Sequence, residues 1–182
     1  EESLAAELEE EEEEASAAGG EQYHPQLEET ACDVVSTLLD KMGILAAVEV
    51  VDHGGGRDAA TGDVTPLTLN LVGDDLGILI GRRGETLRSL QFIVRLIVSR
   101  RLGVWPSLVL DVEGYKAKRV VALRALAQRM AEQVRQTGQM AVLEPMPAHE
   151  RRIVHLALRE NPYVYTESTG EDDRRKVQII PR

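Results

Sequence analysis

Gly77-Ile-Leu-Ile-Gly81-Arg82-Arg83-Gly84-Glu-Thr-Leu87 joins a short apolar turn to a long helical pattern. Two glycines without side chains let a backbone pass close to another molecule. The arginines between them carry fixed charge and fork-shaped donors. A helix start follows at once, with unsatisfied N–H groups and the positive end of a dipole. All three features favour a phosphate, so the stretch reads as a loop presented to a nucleic-acid backbone.

On its N-terminal side, Glu28 to Met42 spaces Ala31, Val34, Val35, Leu38, Leu39 and Met42 at threes and fours, as in an amphipathic helix. Thr30 caps this helix or sits just inside it, and Gly43 is placed to end it. Ile44–Val51 and Leu67–Val72 read as strands, the second alternating Leu67, Leu69 and Leu71 with polar neighbours. The loop between them holds Gly54-Gly-Gly56, but no Lys-Ser/Thr follows, as a nucleotide-binding P-loop requires. Asp74 or Asp75 is placed to cap a short helix through Leu76, Leu79 and Ile80.

On its C-terminal side, Glu85 to Leu102 is a helix with Leu87, Leu90, Val94 and Ile97 on one face, widened by Ile93, Leu96 and Val98. Arg88, Arg95, Arg100 and Arg101 are expected toward solvent. Ser107–Val112 alternates as a strand, flanked by Trp105 and Tyr115 as packing residues. Tyr115–Thr137 is a further helix, Met140–Leu143 a short strand, and Pro147 suits the first turn of a helix over about Ala148–Glu160. On that helix Ile153, Val154, Leu156, Ala157 and Leu158 share one side, while Arg151, Arg152, His155 and Arg159 fall opposite. Arg151 and His155, four apart, are neighbours on the exposed face. Tyr163–Glu167 and Lys176–Ile180 read as strands, Ser168–Asp173 as the turn, with Arg174, Arg175 and Lys176 clustered at the return.

The net charge of −10 hides a split. Residues 1–22 hold ten acids and no bases, including the run Glu9–Glu14, and read as a disordered acidic tail. Residues 28–81 hold ten acids and two bases, whereas residues 82–182 hold nineteen bases and eleven acids. A basic half therefore begins at the glycine loop, where anion binding is expected despite the acidic total. The single Cys32 excludes an internal disulfide and a cysteine-rich zinc site, and reads as a buried thiol. Four scattered histidines offer no metal-ligand spacing, and no nucleophile sits beside a base in any motif. The expectation is no metal, no cofactor and no catalysis. No apolar run approaches the ~18 residues of a membrane helix, and the acidic N-terminus is unlike a secretory signal, so the expectation is a soluble cytoplasmic chain without membrane insertion.

The element order helix, strand, strand, helix, glycine turn, helix, strand resembles a type II K-homology (KH) domain, whose GXXG loop is matched by Gly81, Arg82, Arg83 and Gly84. Pro145-Met-Pro147, then Glu150-Arg-Arg-Ile-Val-His155, and a strand pair returning at Arg174-Arg175-Lys176 resemble an R-3-H domain, named for an Arg and a His matched by Arg151 and His155. KH followed by R-3-H is similar to the bacterial Jag family, also called KhpB. The resemblance implies an α+β fold of two small domains. The first is a type II KH domain over residues 27–113, its three-stranded sheet covered by helices on one face. The second is an R-3-H domain over residues 114–182, a small sheet packed on helices, and both follow an acidic tail over residues 1–26. Many family members add an N-terminal Jag-N domain through an acidic linker; here only an acidic stretch is recognised.

The resemblance further implies a single-stranded RNA-binding protein, a post-transcriptional regulator linked to envelope growth or division, pairing with a small KH-only partner. A KH clamp seats bases on an aliphatic groove beside the loop. That suits a chain only 3% aromatic, with Leu76, Ile78, Leu79, Ile80 and Leu87 as the nearby aliphatics. The expected nucleic-acid-binding residues are Gly81, Arg82, Arg83, Gly84, Arg151, Arg152, His155, Arg159, Arg174, Arg175 and Lys176. The alternatives are single-stranded DNA as the ligand, or a protein-interaction or ribosome-associated module, with homodimerisation through the KH surface.

Overall fold

The computed structural model describes residues 24–57 and 64–182. Residues 1–23 of the expected tail, and part of the glycine-rich loop, lie outside the described residues. Residues 24–26 form a turn, the Leu27 amide donating to the His24 carbonyl at 2.9 Å. The described chain divides into two compact units, one ending at Tyr115 and the other comprising Lys116–Arg182.

The first unit opens with helix α1 (Leu27–Met42), which buries Leu27, Ala31, Val34, Val35 and Leu39. Thr30 lies inside the helix, and Gln26 precedes it without a side-chain cap. Gly43 ends it at φ +69°, with the Gly43 amide bonded to the Asp40 carbonyl and the Ile44 amide to that of Leu39. This double bond pattern reverses the chain over several residues, so strand β1 (Ala47–Asp52) starts later than the apolar run suggests. It pairs antiparallel with β2 (Leu67–Val72), and β2 pairs parallel with β3 (Leu108–Val112), giving the order β1-β2-β3.

Between β2 and β3 run the single-turn helix α2 (Gly77–Ile80), a 3-10 turn (Arg82–Gly84) and helix α3 (Glu85–Leu102). Neither Asp74 nor Asp75 caps α2: Leu76 holds that position, and Asp75 is in the left-handed region at φ +56°. Leu67, Leu69, Leu71, Leu108, Leu110 and Val112 point to one side of the sheet and meet α1 and α3 in a single core. Burial contributes about 1.5–3 kcal/mol per large apolar side chain. The result is the αββααβ order with helices on one face.

Helix α3 departs from its sequence reading. Leu87, Leu90, Val94 and Val98 are buried, but Ile93 and Leu96 are 45% and 38% exposed, because at 100° per residue they lie about 100° or more from the centre of that stripe. Arg95, expected in solvent, is only 7% exposed. Its guanidinium stacks 5.0 Å from the Trp105 ring centroid, and Phe92 lies 6.4 Å from the same ring. A planar, weakly hydrated cation tolerates burial against an indole face better than an ammonium would. At the free edge of the sheet, the Leu110 amide donates to Gln91 Oε1 at 3.0 Å, so α3 also covers part of an otherwise unpaired strand edge.

Helix α4 (Tyr115–Thr137) starts on the last residue of the first unit and supplies Leu123, Ala127, Ala131 and Val134 to the core of the second. Around it fold β4 (Ala141–Val142), α5 (Ala148–Leu158), β5 (Val164–Thr169) and β6 (Lys176–Pro181). The central β6 pairs antiparallel with both β4 and β5. Val164, Val177 and Ile179 face Val154 and Leu158 of α5 in this core. Leu156, expected inward, is 46% exposed, since it lies on the far side of α5 from Val154. Strand β5 runs to Thr169, two residues beyond its expected end, which places Ser168 in the strand rather than in the turn.

One charged pair ties α4 to α5. Glu150 is 2% exposed, and its two carboxylate oxygens accept from Arg119 Nε at 2.7 Å and Nη2 at 2.9 Å. A bidentate fork of this kind offsets the desolvation of the carboxylate. Arg119→Met leaves Glu150 buried beside an apolar stem and is expected to destabilise the second unit by about 3–5 kcal/mol. In Arg119→Met/Glu150→Leu most of that loss returns. Denaturant unfolding of both variants checks this, and equal losses in the two contradict it.

Candidate nucleic-acid interface

In the first unit the chain enters the loop at Gly81 with φ +68° and ψ −171°, a conformation open only to glycine. A Cβ there would overlap Thr86 Oγ1. Arg83 follows at φ +55° and Gly84 at φ +80°. A non-glycine residue held left-handed costs about 1–2 kcal/mol, a strain that concentrates at ligand clamps. Gly84 is the N-cap of α3 and has no side chain to bond the first-turn amides. The Glu85 amide already donates to the Arg82 carbonyl, and the positive end of the helix dipole lies beside Arg82, which is exposed, and Arg83, which is half-buried. Of the nearby aliphatics, Leu76, Leu79 and Leu87 are core, Ile80 is half-buried, and Ile78 alone among them is strongly exposed, at 72%.

In the second unit Arg151, Arg152, His155, Arg159 and Arg175 line one groove of about 520 Å³, together with Ser168. Arg174 and Lys176 do not line it: Arg174 ends a 3-10 turn, and Lys176 begins β6 half-buried. Arg152, Arg159 and Arg175 are exposed, whereas Arg151 and His155 are half-buried and already engaged. Arg151 donates from Nε to the Met146 carbonyl and from Nη1 to Ser168 Oγ, both at 3.2 Å. His155 Nε2 lies 2.8 Å from the same Ser168 Oγ, and Nδ1 lies 2.6 Å from Thr166 Oγ1.

His155, expected on the exposed face of its helix, is half-buried. Both ring nitrogens are bonded to hydroxyls of β5, so the imidazole orients Ser168 and Thr166. A neutral ring suits the arrangement, with one N–H to give and one lone pair to receive. Burial pushes the His155 pKa below its ordinary value, and the Arg151 charge adds to this. Ser168 and Thr166 carry no motif in the sequence, and Ser168 lies beyond the expected end of β5. Their period-two spacing along a strand was the available signal.

The Ser168–His155 contact has the spacing of a nucleophile and its base. Three features weaken that role. Arg151 donates to the same oxygen, its charge makes the imidazole a poorer base, and the far nitrogen meets a neutral hydroxyl rather than an orienting carboxylate. The geometry holds a cation and a hydroxyl in place. Among the described residues, no group of His, Cys, Asp and Glu lies together as a metal site, and no helix is long and apolar enough to cross a membrane.

Two imidazoles are displaced in opposite directions. His53, exposed, is hydrogen-bonded to Glu28 at 2.6 Å, which raises its pKa, with the Glu28 charge second. His155 therefore favours the folded state above the ordinary value of about 6.5, and that contribution is lost as pH falls toward its depressed folded value. His53 favours it below about 6.5 and loses the contribution as pH rises through its raised value. NMR titration of the imidazoles should place the His155 midpoint below the reference and the His53 midpoint above it; the reverse order contradicts the geometry.

Comparison with known proteins bears on both units. The family model for the KH domain of KhpA and KhpB matches residues 33–104, and that for the R-3-H domain matches residues 121–181. The RNA-binding protein KhpB of Clostridium symbiosum is 37% identical over 153 residues, covering 84% of this chain and 65% of that protein. The RNA-binding protein KhpB of Lactiplantibacillus plantarum is 32% identical over 151 residues, covering 83% and 44%. That of Bacillus subtilis is 37% identical over 112 residues, covering 60% and 54%. The chain thus spans less than two thirds of the length of each. With both domains matched in this order, and with relatives that align across most of its length, the chain belongs to the KhpB family of KH–R-3-H proteins.

Proposed function

We propose that the chain binds single-stranded RNA at two anion-holding sites, without catalysis. The observation that carries the reading is the strained loop Gly81–Gly84 at the uncapped start of an 18-residue helix. Backbone amides there hold phosphates, Arg82 and Arg83 add charge, and Ile78 offers an aliphatic seat for a base. The groove around Arg151 and His155 takes a second segment of the same strand. The exposed Arg152, Arg159 and Arg175 meet its phosphates, while Arg151 and Ser168 form the floor. Two weak sites on one chain raise apparent affinity through effective concentration. The RNA-binding names of the relatives support the polymer class.

The exposed Ile93 and Leu96 on α3 favour a second reading, in which the first unit also docks a protein, either a small KH-only chain or a second copy.

Direct binding predicts that log affinity for a uridine octamer falls with log salt at about −0.7 per phosphate neutralised. Arg82→Asp/Arg83→Asp and Arg152→Asp/Arg175→Asp should each weaken binding at least tenfold and flatten that slope. The same titration with the DNA oligomer reports whether the 2′-hydroxyl contributes. Parent-like affinity in both variants overturns the two-site reading. A parent chain that binds neither polymer leaves protein docking as the better account.

A further inference from the structure

Tyr115 stands outside both motifs, yet the chain takes an unusual route to place it. Strand β3 ends at Val112, and the next two residues, Glu113 at φ +52° and Gly114 at φ +65°, are both left-handed. A left-handed glutamate persists only where its surroundings over-determine it. Here three hydrogen bonds do so, all to the end of β2 and the residue beyond it. The Glu113 amide donates to the Leu71 carbonyl at 3.1 Å. The Gly73 amide donates to Glu113 Oε1 at 3.1 Å, and the Gly114 amide donates to Asn70 Oδ1 at 3.4 Å.

This pinned turn carries the Tyr115 ring onto the glycine loop. A Cβ placed on Gly84 would lie 2.9 Å from Tyr115 Cε1, 3.5 Å from Oη and 3.6 Å from Cζ. The phenolic end therefore lies against the Gly84 backbone, while the rest of the residue packs on the first core. Gly84 lacks a side chain for two reasons: its left-handed φ, and the ring that occupies the space. Two strained non-glycine residues, Arg83 and Glu113, flank this single contact from either side.

We propose that Tyr115 is a positioning residue of the phosphate clamp: its flat edge fixes Gly84, and through Gly84 the direction of the first amides of α3. The inference deepens the RNA-binding reading and rests on it. A flat, rigid ring edge is what the narrow space beside Gly84 admits. A branched aliphatic chain fills the core side but leaves the loop unsupported. The ring, rather than the hydroxyl, does the positioning.

Fluorescence anisotropy with a labelled uridine octamer tests this on the full chain. Tyr115→Phe keeps the wall and should bind within about threefold of the parent. Tyr115→Leu should bind about tenfold more weakly while keeping the parent's salt slope, since the same number of phosphates is neutralised. A Tyr115→Leu protein that folds and binds like the parent overturns the inference. Should that variant not fold, 3-fluorotyrosine incorporation into the otherwise unchanged chain gives the answer. The resonance at position 115 should move on adding the octamer and stay still in Arg82→Asp/Arg83→Asp, and a still signal in the saturated parent overturns the inference. If the parent binds no octamer, it is the RNA reading that fails, a result distinct from either of these.

Discussion

A backbone that must turn left-handed at Gly81, Arg83 and Gly84 before it can start α3 is the constraint on which the first unit depends. The turn sets where α3 begins, and that start fixes which of its residues face the sheet. Leu87, Leu90, Val94 and Val98 then fill the core from one side, while the leucines of β2 and β3 fill it from the other. The same turn leaves the first amides of α3 without a side-chain cap. Strain at Arg83 is therefore matched by burial one helical turn later. The candidate clamp and the start of the core helix thus meet at the same turn.

The second unit solves a different problem, which is to hold several cations close together. Arg119 is neutralised by the buried Glu150, and this fastens α4 to α5. Arg151 is anchored to the Met146 carbonyl and the Ser168 hydroxyl. The groove is lined by Arg151 and by three exposed arginines, Arg152, Arg159 and Arg175. Burial, and then the Arg151 charge, both oppose protonation of His155 and hold its pKa below the ordinary value. Four groups, Arg151, Ser168, His155 and Thr166, act as one bonded chain rather than as independent contacts.

Much of the fold was legible because its signals are local. The bounds of α3 and α4 follow from apolar spacing closed by Gly103 and Gly138, and those of β2 from strict alternation. The glycine loop was readable as a loop, since no other residue type enters a turn like that at Gly81. What escaped were effects set by tertiary neighbours. Arg95 looks like a solvent residue until Trp105 is seen beneath it. Ile93 and Leu96 look like core until the narrowness of the buried stripe is known. Ser168 and Tyr115 reach the candidate sites through contacts across 13 and 31 residues of sequence, to His155 and Gly84 respectively, and no periodicity reports such contacts. Glu150 gave no sequence signal of its burial, which depends on its partner from another helix.

We propose that RNA is held at the glycine loop and in the arginine groove. Amide chemical shifts followed during titration with a uridine octamer test it most directly. Gly81, Gly84, Glu85 and Thr86 should shift together with Ser168 and the α5 amides, saturating at one oligomer concentration. Binding that leaves these amides in place and moves only residues on the open faces of the two sheets contradicts it.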